Sequence, residues 1–167
     1  MSQAKVAIIM GSKSDLEIVK QAQAVLGDFG IETEMRILSA HRCPEEVAEF
    51  SKGAIDRGVS VIIAAAGGAA HLPGVVAAFT RLPVIGIPIK SAHSIDGLDS
   101  MLSIAQMPSG VPVATVAVDG AKNAGILAAQ MIGIANSDVA QALLDFKINQ
   151  NKKVLSDDAS IQEKAYS

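Results

Sequence analysis

Short apolar runs alternate along this chain with stretches whose apolar residues recur at helical spacing. Val6-Ala7-Ile8-Ile9-Met10 stops abruptly at Gly11-Ser12-Lys13-Ser14-Asp15, the pattern of a buried parallel strand feeding a loop. Leu16, Val19, Ala22 and Leu26 then mark a helix that Gly27 and Gly30 close. In Ile31 to Leu38, Thr33, Met35 and Ile37 oppose Glu32, Glu34 and Arg36, a partial alternation that predicts a strand toward a sheet edge. Pro44, Glu45 and Glu46 suit a helix N-terminus; that helix is predicted to reach about Arg57 and stop at Gly58.

The alternation continues. Val59 to Ala66 predicts a third strand, ended by Gly67-Gly68, and a helix is expected from about Leu72 to Thr80. Pro83 to Pro88 is the fourth strand, Leu98 to Gln106 a helix, and Pro112 to Val118 the fifth strand. Asn123 to Ala135 is a helix of small residues, and Asp138 to about Lys153 a last amphipathic one. Residues 151–167 are polar and read as an arm or a frayed tail. Strands alternating with helices predict an α/β three-layer sandwich around a five-stranded parallel sheet. Five strands suit the flavodoxin-like order 2-1-3-4-5. With no repeat and no linker-like segment, residues 1–167 read as a single domain.

Composition narrows the partners. The chain is 50% hydrophobic and 19% charged, enough apolar material for a sizeable core and unlike a disordered chain. Aromatic residues make up only 3%, namely Phe29, Phe50, Phe79, Phe146 and Tyr166, which offers little for a base to stack on. A formal net charge of −3 argues against a nucleic-acid partner. One cysteine suits a reducing compartment. No signal-peptide pattern opens the chain, and apolar stretches are interrupted well short of a membrane span. A cytoplasmic protein is the expectation.

In open α/β sheets ligands bind beyond the carboxyl ends of the strands, so the chemistry is sought there. Gly11, Ser12, Ser14 and Asp15 lie just before a helix, where backbone N–H groups and the helix dipole favour an anion; equally, Ser14 or Asp15 could simply cap the helix. In Ser39-Ala40-His41-Arg42-Cys43-Pro44, an imidazole able to exchange protons near neutral pH sits beside a permanently charged guanidinium. The alternative is a histidine capping the next helix and a solvated arginine. Gly67, Gly68 and Gly74 permit close approach to a ligand, and His71 reads either as a substrate contact or as a buried histidine satisfied by backbone. Cys43 has no orienting third group and reads as a passenger thiol. His93 reads as a surface residue. The three His and one Cys show no metal-ligand spacing, so no metal is expected.

Taken together the loops are far more specific. Gly-Ser-Lys-Ser-Asp at 11–15, Ser-Ala-His-Arg-x-Pro at 39–44, Ala-Gly-Gly-Ala-Ala-His-Leu-Pro-Gly at 66–74 and Asp-Ser-x-x-Ser-Ile-x-Gln-Met-Pro-x-Gly-Val-Pro-Val at 99–113 occur in this order. The sequence resembles the N5-carboxyaminoimidazole ribonucleotide mutase family of purine biosynthesis, the mutase branch of the phosphoribosylaminoimidazole carboxylase catalytic subunit family. The resemblance runs from about Lys5 to about Asp145. It implies carboxylate transfer from the exocyclic nitrogen of an aminoimidazole ribonucleotide to ring carbon C4, without metal or organic cofactor, in an octamer. It further implies His41 as the catalytic residue. Substrate binding falls to Gly11, Ser12, Ser14, Asp15, Ser39, Ala40, Arg42, Gly67, Gly68, Ala69, His71 and Leu72. Of these, Ser12 and Arg42 would hold the phosphate and Asp15 the ribose hydroxyls.

The animal-type branch, which carboxylates aminoimidazole ribonucleotide directly with CO2, typically carries Ser-Ala-His-Lys in the second loop, whereas this chain reads His41-Arg42. Cys43 stands where Thr is common in the family, Ala65 where Gly is common, and the 90–98 segment looks about one residue longer than usual. Two other activities fit the same scaffold: direct carboxylation, and non-catalytic binding of a mononucleotide such as FMN.

Overall fold

The computed structural model describes residues 4–165, with side chains described through residue 162. Tyr166 and the last residue of the tail lie outside that range. The elements follow the predicted order: β1 Lys5–Met10, α1 Leu16–Asp28, β2 Glu32–Ile37, α2 Pro44–Lys52, β3 Val59–Gly67, α3 Leu72–Phe79, β4 Val84–Ile89, α4 Leu98–Ala105, β5 Ala114–Thr115, α5 Ala121–Gly133 and α6 Ser137–Ala165. A 3-10 turn, Lys13–Asp15, leads into α1. The sheet order is β2-β1-β3-β4-β5 and every pairing is parallel. This is the flavodoxin-like arrangement.

Strand alternation divides the core into two layers. Val6, Ile8, Met10, Val61, Ile63, Ala65, Ile85 and Ile87 face α1 and α5. Ala7, Ile9, Ile62, Ala64 and Ala66 face α2, α3 and Ile104 of α4. Beyond Lys5 and the exposed Ser60 at the starts of β1 and β3, central strands buried on both sides leave no polar position, which is why β1, β3 and β4 read as apolar runs. β2 at the edge is only partly covered, and its Ile37 is exposed.

The small residues of α5 bring it close to α1. Ala121, Ala124, Gly125, Ala128 and Ala129 are all buried, and a Cβ on Gly125 would lie 2.9 Å from the Ala22 carbonyl oxygen.

Three boundaries differ from the sequence expectation by more than two residues. α2 ends at Lys52 rather than near Arg57, because the chain turns at Gly53 and Arg57 folds back. The Arg57 guanidinium stacks 4.7 Å over the Phe50 ring, donates to the Phe50 carbonyl at 3.0 Å and pairs with Glu34 at 2.9 Å. β5 shrinks to Ala114–Thr115. The Gly86 and Pro88 carbonyls face β5, accepting from Val116 and Asp119; a strand residue's N–H points the same way as its carbonyl, and Pro88 has none to offer. Finally, the polar tail does not fray near Lys153. α6, capped by Asn136 Oδ1 accepting from the Asp138 and Val139 N–H groups at 3.1 Å, continues as an exposed helix.

Register sets the site. Met10 pairs with Ile37 and Ala65, and Gly67 pairs with Ile89. The loops after β1, β2, β3 and β4 therefore leave the sheet at one rim.

Candidate active site

At that rim the four loops enclose a cavity of about 170 Å³. The first contributes Gly11, Ser12, Ser14 and Asp15. The Gly11 N–H extends the ladder by donating to Ala65 O at 3.2 Å. Ser12 Oγ accepts from the Ser14 N–H at 3.3 Å and so caps the 3-10 turn; neither Ser14 nor Asp15 does the capping. Ser14 Oγ lies 2.9 Å from Ser12 Oγ and donates to Asp15 Oδ1 at 2.9 Å. Asp15 is only 6% exposed. Burial pushes its carboxyl above the usual range, the bonds from Ser14 and the Ser12 backbone draw it partly back, and Asp119 adds a smaller push upward.

The second loop contributes Ser39, Ala40, His41 and Arg42. It is a tight turn about Ser39, whose carbonyl accepts from the Arg42 and Cys43 N–H groups at 3.2 and 2.9 Å. Cys43 is more than a passenger here: its Sγ accepts from the Ser39 N–H at 3.0 Å and donates to Ser39 O at 3.3 Å. Arg42 Nε reaches Ser39 Oγ at 3.4 Å. Among the described residues Arg42 forms no ion pair, which leaves its charge available at the cavity. His41 does not cap α2; the N-cap position is Cys43.

The third loop contributes Ala66, Gly67, Ala69, His71 and Leu72. Gly68 turns the chain at φ +60, which suits a residue without a Cβ, but does not itself line the cavity. His71 is exposed rather than buried, at the start of α3, and makes no cap bond. Its partner is His41, with Nε2 of His41 2.8 Å from Nδ1 of His71 and the rings nearly perpendicular at 82°.

The fourth loop adds one residue that the sequence reading did not place in the site, Ser91. Its position straight after β4, on the same rim, was the available signal. The loop is closed on itself. Ser94 Oγ donates to Ser91 O at 2.8 Å and accepts from the Gly97 N–H at 3.2 Å. Lys90 Nζ meets Asp96 Oδ1 at 2.6 Å, and this contact raises the lysine pKa and lowers that of the aspartate. His93 is exposed and away from the cavity. Among the described residues no three His, Cys, Asp or Glu side chains are grouped as a metal ion would require.

The cavity thus combines a free guanidinium, a buried carboxylate, hydroxyls, two bonded imidazoles and a wall of Ala and Gly. Comparison with known proteins agrees with the loop motifs. A family model described as AIR carboxylase matches residues 5–153. An N5-carboxyaminoimidazole ribonucleotide mutase of Thermotoga maritima is 52% identical over 162 residues, covering 97% of this chain and 94% of that protein. One from Mycobacterium tuberculosis strain H37Rv is 51% identical, covering 96% and 92%. The crystal structure of Treponema denticola PurE superposes with a TM-score of 0.85 at 32% identity, covering 95% of this chain and 98% of that one. With its first three motifs on one rim of a matching sheet and the match spanning almost all of its length, this chain belongs to the AIR carboxylase family.

Proposed function

We propose that the protein converts N5-carboxyaminoimidazole ribonucleotide to 4-carboxy-5-aminoimidazole ribonucleotide in purine biosynthesis. The observation that carries this reading is the joining of an unpaired Arg42, a buried Asp15 and His41 around one small cavity. The chain's relatives at about half identity bear the mutase name. Arg42, Ser12 and the loop N–H groups take the phosphate, with bidentate or point contacts that a guanidinium suits. Asp15, as an acceptor held off the phosphate, takes ribose hydroxyls. Gly11, Ser14, Ser39, Ala40, Gly67, Gly68, Ala69, His71 and Leu72 shape the rest of the pocket.

His41 acts as acid and then base. It protonates the carbamate nitrogen; the N–C bond breaks, its electron pair returning to nitrogen, and CO2 is released beside the ring. Ring carbon C4 attacks that CO2, and His41 takes the proton from C4 to restore aromaticity. One proton is lent and recovered, so no external acid is needed. Ala40, Ala66, Gly67 and Ala69 line one wall of the cavity, where the small side chains leave room for CO2 beside the ring.

The test is turnover of the carboxyamino substrate in labelled bicarbonate. Product without label supports the mutase, whereas efficient labelled product from free aminoimidazole ribonucleotide assigns direct carboxylation. That second reading has its own support: a chloroplastic phosphoribosylaminoimidazole carboxylase of Vigna aconitifolia is 50% identical over 155 residues, though the match covers only 28% of that longer protein. A yellow purified protein would favour the flavin-binding alternative.

The reading includes a homo-oligomer, an octamer by family resemblance, working in the cytoplasm. Exposed Leu98 and Leu102 on α4 and Val154, Leu155 and Ile161 on α6 support association. No described helix is long and apolar enough to cross a membrane. Light scattering should give a mass eight times that of the 17.2 kDa chain.

A further inference from the structure

The 2.8 Å contact between His41 Nε2 and His71 Nδ1 holds one hydrogen, and either ring can own it. The two arrangements differ in what they leave at the other nitrogens. If His71 donates, a neutral His41 carries its single proton on Nδ1. Giving that proton away would create an imidazolate, which is inaccessible near neutral pH. If His41 donates, His71 is the neutral Nε2–H tautomer, its Nδ1 acts only as an acceptor, and Nδ1 of His41 is left to bind or release a proton. His41 can then pass between imidazolium and imidazole with the bond to His71 intact.

We propose that His71 is the positioning residue for His41: its Nδ1 accepts the His41 Nε2–H, which holds the ring in place and makes His41 Nδ1 the nitrogen that exchanges a proton with substrate. The inference rests on the acid–base role given to His41 above. Protons balance. The charged pair carries three, on His41 Nδ1, on His41 Nε2 in the bridge, and on His71 Nε2. Protonating the carbamate nitrogen removes the first, and abstraction at C4 restores it. The bridge proton and the His71 proton stay where they are. An orienting acceptor behind a catalytic imidazole is the logic by which hydrolase triads select one histidine tautomer. Here a second imidazole, 30 positions along the chain, supplies it.

The pair is testable by residue shape. In asparagine Oδ1 is attached to Cγ, as Nδ1 is in histidine, so His71→Asn keeps an acceptor close to the same place. His71→Leu removes it. His71→Leu should lower kcat at least about tenfold, equivalent to about 1.4 kcal/mol of barrier. His71→Asn should recover most of the lost kcat. With only three histidines in the chain, imidazole ¹⁵N spectra of the ligand-free protein at alkaline pH assign the protons directly. Both His41 and His71 should be Nε2–H tautomers.

Spectra showing both rings as Nδ1–H would overturn the proposal, as would a His71→Leu enzyme with normal kcat or a His71→Asn enzyme as slow as His71→Leu. Full turnover by His41→Asn would instead overturn the acid–base reading of His41. The spectrum of the resting protein does not depend on that outcome.

Discussion

Gly67 and Ser91 meet across the rim of the sheet, where a Cβ built on Gly67 would lie 3.2 Å from Ser91 Cβ and 3.1 Å from the Ile89 carbonyl oxygen. The absence of a side chain at 67 leaves room for Ser91, which follows β4 and lines the cavity. Gly67→Ala must displace Ser91 or the strand end by a few tenths of an ångström, since one of its two neighbours is backbone. Overpacking of this kind costs about 1–3 kcal/mol. We expect a lower Tm, and a larger loss in kcat/KM than in stability because the displaced atoms line the site. Calorimetry and steady-state kinetics on the same preparation check this; unchanged kcat/KM would show that Ser91 and its loop take no part in binding.

Asp15 should trade stability for binding. An acid whose pKa is raised on folding holds more protons folded than unfolded. Stability therefore falls as pH rises from the ordinary Asp value of about 3.9 through the raised one. At pH 7 the buried carboxylate is destabilising. Asp15→Asn should raise Tm at pH 7, with the gain shrinking as pH is lowered toward about 4, where the acid is protonated folded or unfolded. Nucleotide affinity should drop about tenfold or more, the scale of losing one hydrogen bond to a charged group. Calorimetry across pH and titration calorimetry at pH 7 read the two effects. A stability gain that grows on acidification contradicts the stated cause of the shift.

Cys43 should tolerate a hydroxyl but not a methyl. Its thiol both accepts from the Ser39 N–H and donates to the Ser39 carbonyl, and a threonine hydroxyl can do the same. Cys43→Thr is expected to keep full turnover. Cys43→Ala leaves the Ser39 N–H without that partner, costing about 1 kcal/mol, and frees the turn that carries His41 and Arg42. Equal kcat/KM in the two variants would show that the thiol does not hold this loop.

The α1–α5 contact should be intolerant of one methyl group. A Cβ on Gly125 would lie 2.5 Å from Val25 Cγ1 as well as 2.9 Å from backbone at Ala22. Alanine is favoured over glycine in a helix by about 1 kcal/mol, so Gly125→Ala in a roomy site would stabilise. Here we expect a net loss, because overpacking of about 1–3 kcal/mol against backbone outweighs that gain. The urea midpoint should fall; a rise would mean the helices separate freely.

Much of the fold was legible in the chain before any coordinates. Parallel strands covered on both faces must be largely apolar along their length, so Val6 to Met10, Val59 to Ala66 and Pro83 to Pro88 announce themselves. The partial alternation of Ile31 to Leu38 likewise marks an edge. Because each strand ends where a Gly or polar loop begins, the loops bearing Ser12, Asp15, His41, Arg42 and His71 could be assigned to one rim.

Periodicity reports how each residue is buried; it is silent on what lies opposite. Only tertiary structure decided that α2 stops at Lys52, because Arg57 reaches back to Phe50 and across to Glu34. It also decided that β5 shortens, because Pro88 on the neighbouring strand has no N–H to give. Sheet register, which aligns Met10 with Ala65 and Gly67 with Ile89, brought His41 to His71 and Ser91 to Gly67. Residue type and spacing chose the chemistry of the loops. The distances between those loops were set by hydrogen-bonded strands whose pairing no single segment encodes.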